Sequence, residues 1–307
     1  VFQRYLQEGE LKLLNIHSFD NWVAMFAEKN EELEVDVDAK GYRMATRLSR
    51  FHNLPELTTI LANIADFHRL EKNKDLPEFN GYKDIVLKKT FELSQYIEEL
   101  SARSTLIRSG KVKRTVDNML KVTTDGRLAA LDLRLVDPNT KQNKIFSKVY
   151  SCAERVCDLY IKTNLTKATQ LIFCDCSTPK EGFNIYDELK GALLMFGIKS
   201  SEIAFIHEAK TENQRQRLFD KVNSGEIRIL IGSTFKLGLG VNVQKKLIAI
   251  HHLDVPWRPA DMIQREGRII RQGNENKEVF IYRYIQEASF DAYSWQLLET
   301  KQTFISR

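Results

Sequence analysis

The chain has 307 residues, of which 43% are hydrophobic and 28% charged, with a formal net charge of +5. This excludes a disordered or low-complexity chain, and no run approaches the roughly 18 apolar residues that a bilayer-spanning helix needs. The mild positive charge permits nucleic-acid binding without demanding it.

The chain begins VFQRYLQEGE, with neither an initiator Met nor a signal-peptide pattern, so it is expected to belong to a longer polypeptide. Residues 1–125 carry helical periodicity, as in LTTILANIADF (57–67) and IVLKKTFELSQYIEELSARS (85–104), and no series of strands. Turn signals at Asp125-Gly126 and Asp137-Pro138-Asn139 place a junction over 126–147. A second domain is expected over 148–307. There, short branched apolar runs read as strands buried on both faces: 169–175, 202–208, 228–233, 247–253 and 278–284. Helical stretches lie between them at 148–163, 183–196, 211–224 and 259–271. Thr211 and Gln214 have capping-box spacing, and Pro259 suits a first helical turn. The fold class expected is therefore α/β, a parallel sheet with helices on both faces, preceded by a mainly helical segment. Ligands in such sheets bind at the carboxyl ends of the strands. This singles out the loops CDCSTP (174–179), GSTFKLGLGVN (232–242) and HHLDVPWRPAD (251–261).

Two of these loops hold candidate chemistry. Gly238 and Gly240 allow close backbone approach to a ligand, and Ser233 and Thr234 offer hydroxyls to phosphate oxygens. His251 and His252 alternate across a strand with no third ligand at a metal-site spacing, so no metal is expected there. The four cysteines match no paired CxxC spacing and read as reduced core or strand-end residues. In QREGRIIRQG (264–273), Gln264, Arg268 and Arg271 would share a sector of roughly 60° on a continuous helix, with Met262, Ile263, Ile269 and Ile270 opposite. Arg265 lies about 100° around that helix and reads as structural or solvent-facing.

In order, S-T-x-x-x-G-x-G-x-N, D-x-P-W-x-P-x-D and Q-x-x-x-R-x-x-R follow LIFCDCST. This series resembles motifs IV, V and VI of the second RecA-like lobe of superfamily 2 helicases and translocases, of the Swi/Snf type. Over most of its length the chain is similar to the helicase-like region of large phage, plasmid and mobile-element proteins, often joined to an adenine-specific DNA methyltransferase. NLPEL (53–57), STP (177–179) and FDAYSWQLLETKQ (290–302) carry that narrower likeness, and SFDNWVAMF (18–26) resembles the end of a first lobe. The resemblance implies ATP with Mg²⁺ as cofactor, held mainly by a first RecA-like lobe of the same polypeptide. Arg268 and Arg271 would be arginine fingers, while Gln264, Gly238, Gly240 and Asn242 would contact the nucleotide. Ser177, Thr178, Ser233, Thr234 and Lys236 would hold the phosphate backbone of duplex DNA. A fused or associated methyltransferase would be a further partner, with no membrane involved, and the setting implied is the cytoplasm of a bacterial or phage-infected cell.

Phe235, Leu237, Leu239 and Val241 depart from the family by being unusually apolar in motif V, and Arg258 stands where Asn is usual. The 307 residues contain no G-x-x-x-x-G-K-[ST] loop and no Asp-Glu box after a strand, so the chain alone is expected to hydrolyse ATP negligibly. The alternative is a lobe without motor function, serving as a DNA-binding scaffold of a modification or defence system. A second basic region, RSTLIRSGKVKR (103–114), reads as a solvated helix end or an additional DNA-facing element.

Overall fold

The structure, a computed structural model, describes residues 2–35, 42–66, 75–113, 115–237 and 241–306. The chain divides into two compact units. One comprises Val1–Glu34, Tyr42–Lys74 and Glu299–Arg307; the other holds Asp75–Leu298 with Val35–Gly41.

The first unit contains α1 (Phe2–Leu6), α2 (Glu8–Leu13), α3 (Phe19–Phe26), a two-stranded sheet of β1 (Ala27–Val35) and β2 (Tyr42–Phe51), and α4 (Leu54–Ala62). Its core is Leu11, Ile16, Phe26 and Leu57, with Trp22 and Phe51 against it. Ser18 starts α3 by accepting the Asn21 N–H. The β1–β2 pair was not expected: AEKNEELEV is charged almost throughout and lacks the branched apolar alternation that marks a strand.

The second unit is built on β3 (Glu78–Phe79), β4 (Lys83–Leu87), α5 (Phe91–Arg108), α6 (Met119–Leu131), α7 (Lys148–Lys162), β5 (Thr169–Phe173), α8 (Ile185–Met195) and β6 (Ile203–Phe205). It continues with α9 (Glu212–Ser224), β7 (Ile229–Gly232), α10 (Thr234–Leu237), β8 (Leu247–His252), α11 (Pro259–Glu266), β9 (Glu278–Gln286) and the part of α12 (Phe290–Ser306) up to Leu298. Seven strands form one sheet in the order β3-β9-β8-β5-β7-β6, with β4 also paired to β9, and every pairing is parallel. The α/β expectation holds. Successive β5 residues enter different cores, which places them on opposite faces. Ile172 packs with Val149, Tyr186 and Leu189 from α7 and α8, whereas Leu171 and Phe173 pack with Phe219, Val222 and Ile269.

Two expectations for residues 75–147 change. Residues 85–87 belong to β4 and not to a helix, because pairing along β9 and the branched pair Ile85-Val86 outweigh local periodicity. The helix starts afterwards at Thr90, whose hydroxyl accepts the Leu93 N–H. Asp125-Gly126 is no turn but lies within α6. A Cβ on Gly126 would stand 3.2 Å from the Phe290 ring, so the glycine provides close approach between α6 and α12. Asp137 does form its turn, accepting the Asn139 N–H at 3.0 Å.

Register aligns the strand ends. Phe173 of β5 pairs with Gly232 of β7 and with His252 of β8, so the loops beginning at Cys174, Ser233 and Leu253 leave the sheet at one level. A Cβ on Gly232 would come within 2.4 Å of Leu237, so α10 folds directly over this end. Among the described residues, no helix is long and apolar enough to cross a membrane.

Gly191 lies in the exposed interior of α8 with nothing within 4 Å of a prospective Cβ. Gly191→Ala should stabilise by ~0.5–1 kcal/mol through helix propensity, whereas Gly126→Val should destabilise by ~1–3 kcal/mol through overpacking. Urea midpoints at unchanged slope measure both.

Candidate functional site

Three aligned strand ends deliver Asp175, Thr234 and Asp254 to one place, and α11 brings Arg265 to meet them. The Arg265 side chain is fully buried, and each of its five N–H groups has an acceptor. Nε donates to Thr234 Oγ1 at 2.7 Å. Nη1 donates to the Asp254 carbonyl at 3.1 Å and to His252 Nδ1 at 3.2 Å. Nη2 donates to Asp175 Oδ2 at 2.7 Å and to Asp254 Oδ1 at 3.1 Å. The carboxylates are held in turn. Asp175 accepts the Thr234 N–H and O–H, each at 2.6 Å, and Asp254 Oδ2 accepts the N–H groups of Asp175 and Cys176 at 2.5 and 2.7 Å.

The electrostatics follow from this packing. Burial pushes the Asp175 carboxyl up, but the Arg265 charge and the Thr234 donors outweigh it and hold it below the usual range. Burial, reinforced by Arg265, drives His252 well below the usual histidine range, so its ring is neutral. A guanidinium only donates, so His252 Nδ1 accepts and the proton is assigned to Nε2. That nitrogen lies 3.8 Å from Glu266 Oε1. Burial raises Glu266 to about 7, against the Tyr82 hydroxyl that donates to its other oxygen at 3.1 Å. His251 is a core residue, bonded to Tyr284 and Gln170 at 2.9 and 3.0 Å.

Above this cluster lies an open cleft of about 560 Å³. Thr178 borders it after β5, and Ser233, Thr234 and Phe235 border it after β7. Arg258, Asp261 and Gln264 come from the start of α11 and its exposed face. Arg258 forks onto Asp261 at 2.8 and 3.0 Å.

The expected site residues thus divide. Thr178, Ser233, Thr234 and Gln264 share the cleft. The Thr234 hydroxyl is committed to Asp175 and Arg265. Ser177 is buried, and its hydroxyl accepts the Ile185 N–H at the start of α8. Lys236 is half-buried in α10 and is not among the residues bordering the cleft. Asn242 is exposed, its carbonyl accepting from Asn223 at 2.7 Å. Gly238 and Gly240 lie outside the described residues.

The continuous helix expected over 259–271 ends at Glu266, with Gly267 as its cap. The Arg268 and Ile269 N–H groups bond three residues back, to the carbonyls of Arg265 and Glu266, and Ile269 turns into the core. The shared helical sector of Gln264, Arg268 and Arg271 therefore does not form, and Ile263 is exposed rather than packed. Arg268 is half-buried and donates to the Val241 carbonyl at 2.8 Å, beside Asn242. Burial, and then the nearby Arg271 charge, lowers its pKa. Gln264 opens on the cleft, whereas neither Arg268 nor Arg271 borders it.

Sequence reasoning missed Asp175 and Asp254. Each stands two residues past a buried strand in a loop already singled out, which was the available signal. Arg265, which sequence spacing reads as structural or solvent-facing, is structural and is the buried centre. In the basic region, Arg103 is clasped by Asp117 and Asp125 at 2.8–3.0 Å; Lys111 and Lys113 are exposed, and Arg114 lies outside the described residues. Burial pushes the thiols of Cys174 and Cys176 well up, so neither is an activated nucleophile.

Residues 151–273 match the family model "Helicase conserved C-terminal domain", and residues 1–69 match "Probable helicase domain". A stretch of 71 residues is 38% identical to the defense against restriction protein B of Escherichia phage P1, covering 23% of this chain and 3% of that protein. Among solved structures, the C-terminal part of the Fun30 ATPase domain is similar at 24% identity and a TM-score of 0.41, over 54% of this chain and 52% of that one. Dbp5 of S. cerevisiae, bound to RNA and ADP BeF3, is similar at 20% identity and 0.36, over 50% and 37%. The helicase MrfA bound to DNA is similar at 16% and 0.37, over 55% and 22%.

Arg265→Met leaves buried Asp254 and half-buried Asp175 without their cation and should cost ~3–5 kcal/mol, read from urea unfolding. Glu266 gives a pH signature. Its folded pKa of about 7 lies above its ordinary 4.5, so its contribution is full below pH 4.5 and lost as pH rises through 7. At 1.36 kcal/mol per pH unit the loss is at most ~3 kcal/mol. The neutral histidines act oppositely below about pH 6.5. The comparison is therefore wild type against Glu266→Gln at pH 5 and pH 8, and the variant should lack this loss.

Proposed function

We propose that this chain supplies the C-terminal lobe of an ATP-dependent DNA helicase or translocase of the Swi/Snf type. The observation that carries the reading is the joining of three strand-end loops and the arginine segment through Arg265, within the stretch 151–273 that matches the helicase C-terminal domain. In this reading, residues 148–307 are the lobe. Residues 1–125 are the tail of a first RecA-like lobe with an insertion, and 126–147 join the two. The match of residues 1–69 to a helicase domain supports the first part.

The donor set suits an anion: two guanidiniums at Arg268 and Arg271, the Gln264 amide and the Asn242 side chain carry little negative charge among them. ATP with Mg²⁺, bound mainly by a first lobe outside these 307 residues, supplies the phosphoanhydride whose cleavage drives movement. Arg268 and Arg271 act as fingers, donating to phosphate oxygens as negative charge develops. Fixed donors of this kind contribute roughly 10³–10⁵ in rate. The carbonyl of Val241 orients Arg268 for that role, and Gln264 contacts the nucleotide with Gly238, Gly240 and Asn242. Thr178 and Ser233 hold the sugar-phosphate backbone of DNA, with Thr234, Ser177 and Lys236 supporting their loops. The setting proposed is bacterial or phage DNA modification or defence, with an associated DNA methyltransferase. The likeness of one stretch to a phage protein named for defence against restriction supports that setting.

The test is ATP hydrolysis by the chain joined to its first lobe, with and without duplex DNA. DNA-stimulated turnover should fall about 10³-fold or more in Arg268→Ala and in Arg271→Ala, and the chain alone should be inactive. Turnover indifferent to both arginines, with salt-sensitive DNA binding retained, would make the lobe a DNA-binding scaffold.

A further inference from the structure

Phe235 is 80% exposed and borders the cleft, on a short stretch of backbone tied by hydrogen bonds to its neighbours. Both donors of the preceding Thr234 are fixed on Asp175. The Lys236 and Leu237 N–H groups return to the Ser233 carbonyl, and the Leu237 side chain is fully buried beneath. The chain thus presents an aromatic ring to water from a backbone anchored by these hydrogen bonds and by buried Leu237. Phenylalanine loses little side-chain freedom when a flat partner covers it.

The surroundings limit what that partner can be. The ring shares its cleft with hydroxyls of Thr178 and Ser233, the Gln264 amide and the Arg258 guanidinium. Both carboxylates of the cleft are paired with arginines, Asp175 with Arg265, which Asp254 shares, and Asp261 with Arg258. A purely apolar partner would bury these polar groups without hydrogen bonds. A ligand with a flat apolar face and phosphate or sugar oxygens alongside satisfies the ring and the donors together. In a duplex, each base face is covered by its neighbours and is presented only after unstacking. In an unpaired strand, the faces are open.

We infer that Phe235 is a stacking platform for a base of an unpaired DNA strand, so that this cleft distinguishes single strands from duplex. The inference rests on the nucleic-acid reading of the cleft and adds to it a contact that phosphate-binding hydroxyls do not make. It involves no covalent step.

The experiment is fluorescence anisotropy with the full chain and three labelled probes: oligothymidine, an abasic strand of equal length and charge, and a duplex. Wild type, Phe235→Ala and Phe235→Trp are compared, with AMP as competitor. The side chain is exposed, so neither substitution threatens the fold. Phe235→Ala should weaken oligothymidine about 5- to 100-fold, the range expected for loss of one stacked base. Binding to the abasic strand and the duplex should be unchanged, and Phe235→Trp should restore the oligothymidine affinity. Equal losses on all three probes, no loss, or a loss confined to the duplex would overturn the inference. Displacement of oligothymidine by AMP that depends on the ring would also overturn it, by assigning the ring to a mononucleotide. If oligothymidine binds wild type and Phe235→Ala alike in a salt-dependent way, only the stacking role fails. If wild type binds none of the probes, the nucleic-acid reading fails with it.

Discussion

A single buried guanidinium organises the carboxyl end of this sheet. Arg265 occupies a position where a charge without partners would cost several kcal/mol, and the chain meets that constraint by bringing acceptors from three strand ends. Each acceptor is itself fixed: Thr234 by Asp175, Asp254 by two backbone N–H groups, and His252 as a neutral ring. The cluster acts as one unit because no member can move without exposing another's polar atoms to an apolar interior. Strand register puts the ends level, and α11 supplies the cation.

Rigidity at this point has two sides. Below, Phe173 lies beneath the guanidinium, with Cζ 5.0 Å from its ring centre, in the core that also holds Ile269. Above, the same loops display the exposed groups of the cleft: Phe235, Gln264 and Arg258. Arg268 lies just past the helix and holds the Val241 carbonyl. Between the fixed cluster and Arg268 there are three peptide units and one glycine. A displacement in either loop therefore reaches the arginine segment over a short path of hydrogen bonds.

The sheet was legible because strands buried on both faces leave continuous apolar runs, as in TQLIF and ILIG. The capping box at Thr211 and Gln214 formed as its spacing implied, and Pro259 opened its helix. What escaped was decided by tertiary contact. Residues 85–87 took strand form because an edge of β9 stood ready, and Asp125-Gly126 stayed helical because Phe290 needed the space and Arg103 needed the carboxylate. The end of α11 at Gly267 removed the helical sector that had grouped Gln264 with the arginines. Arg265 was missed for a related reason: sequence spacing gives direction around a helix, but not whether two carboxylates wait on the inner side.

The pairing of β4 with β9 bears on how the molecule is made. Asp84 and Arg283 face each other across that edge, fork to fork, though 199 residues separate them in the chain. During synthesis β4 leaves the ribosome long before its partner exists, and its backbone groups remain an open template in the meantime. Closing a loop of that length is slow compared with forming the local helices. Completion of the sheet is thus tied to the arrival of the last strand, and a ribosome pausing before Glu278 would hold the half-built sheet with that edge uncovered.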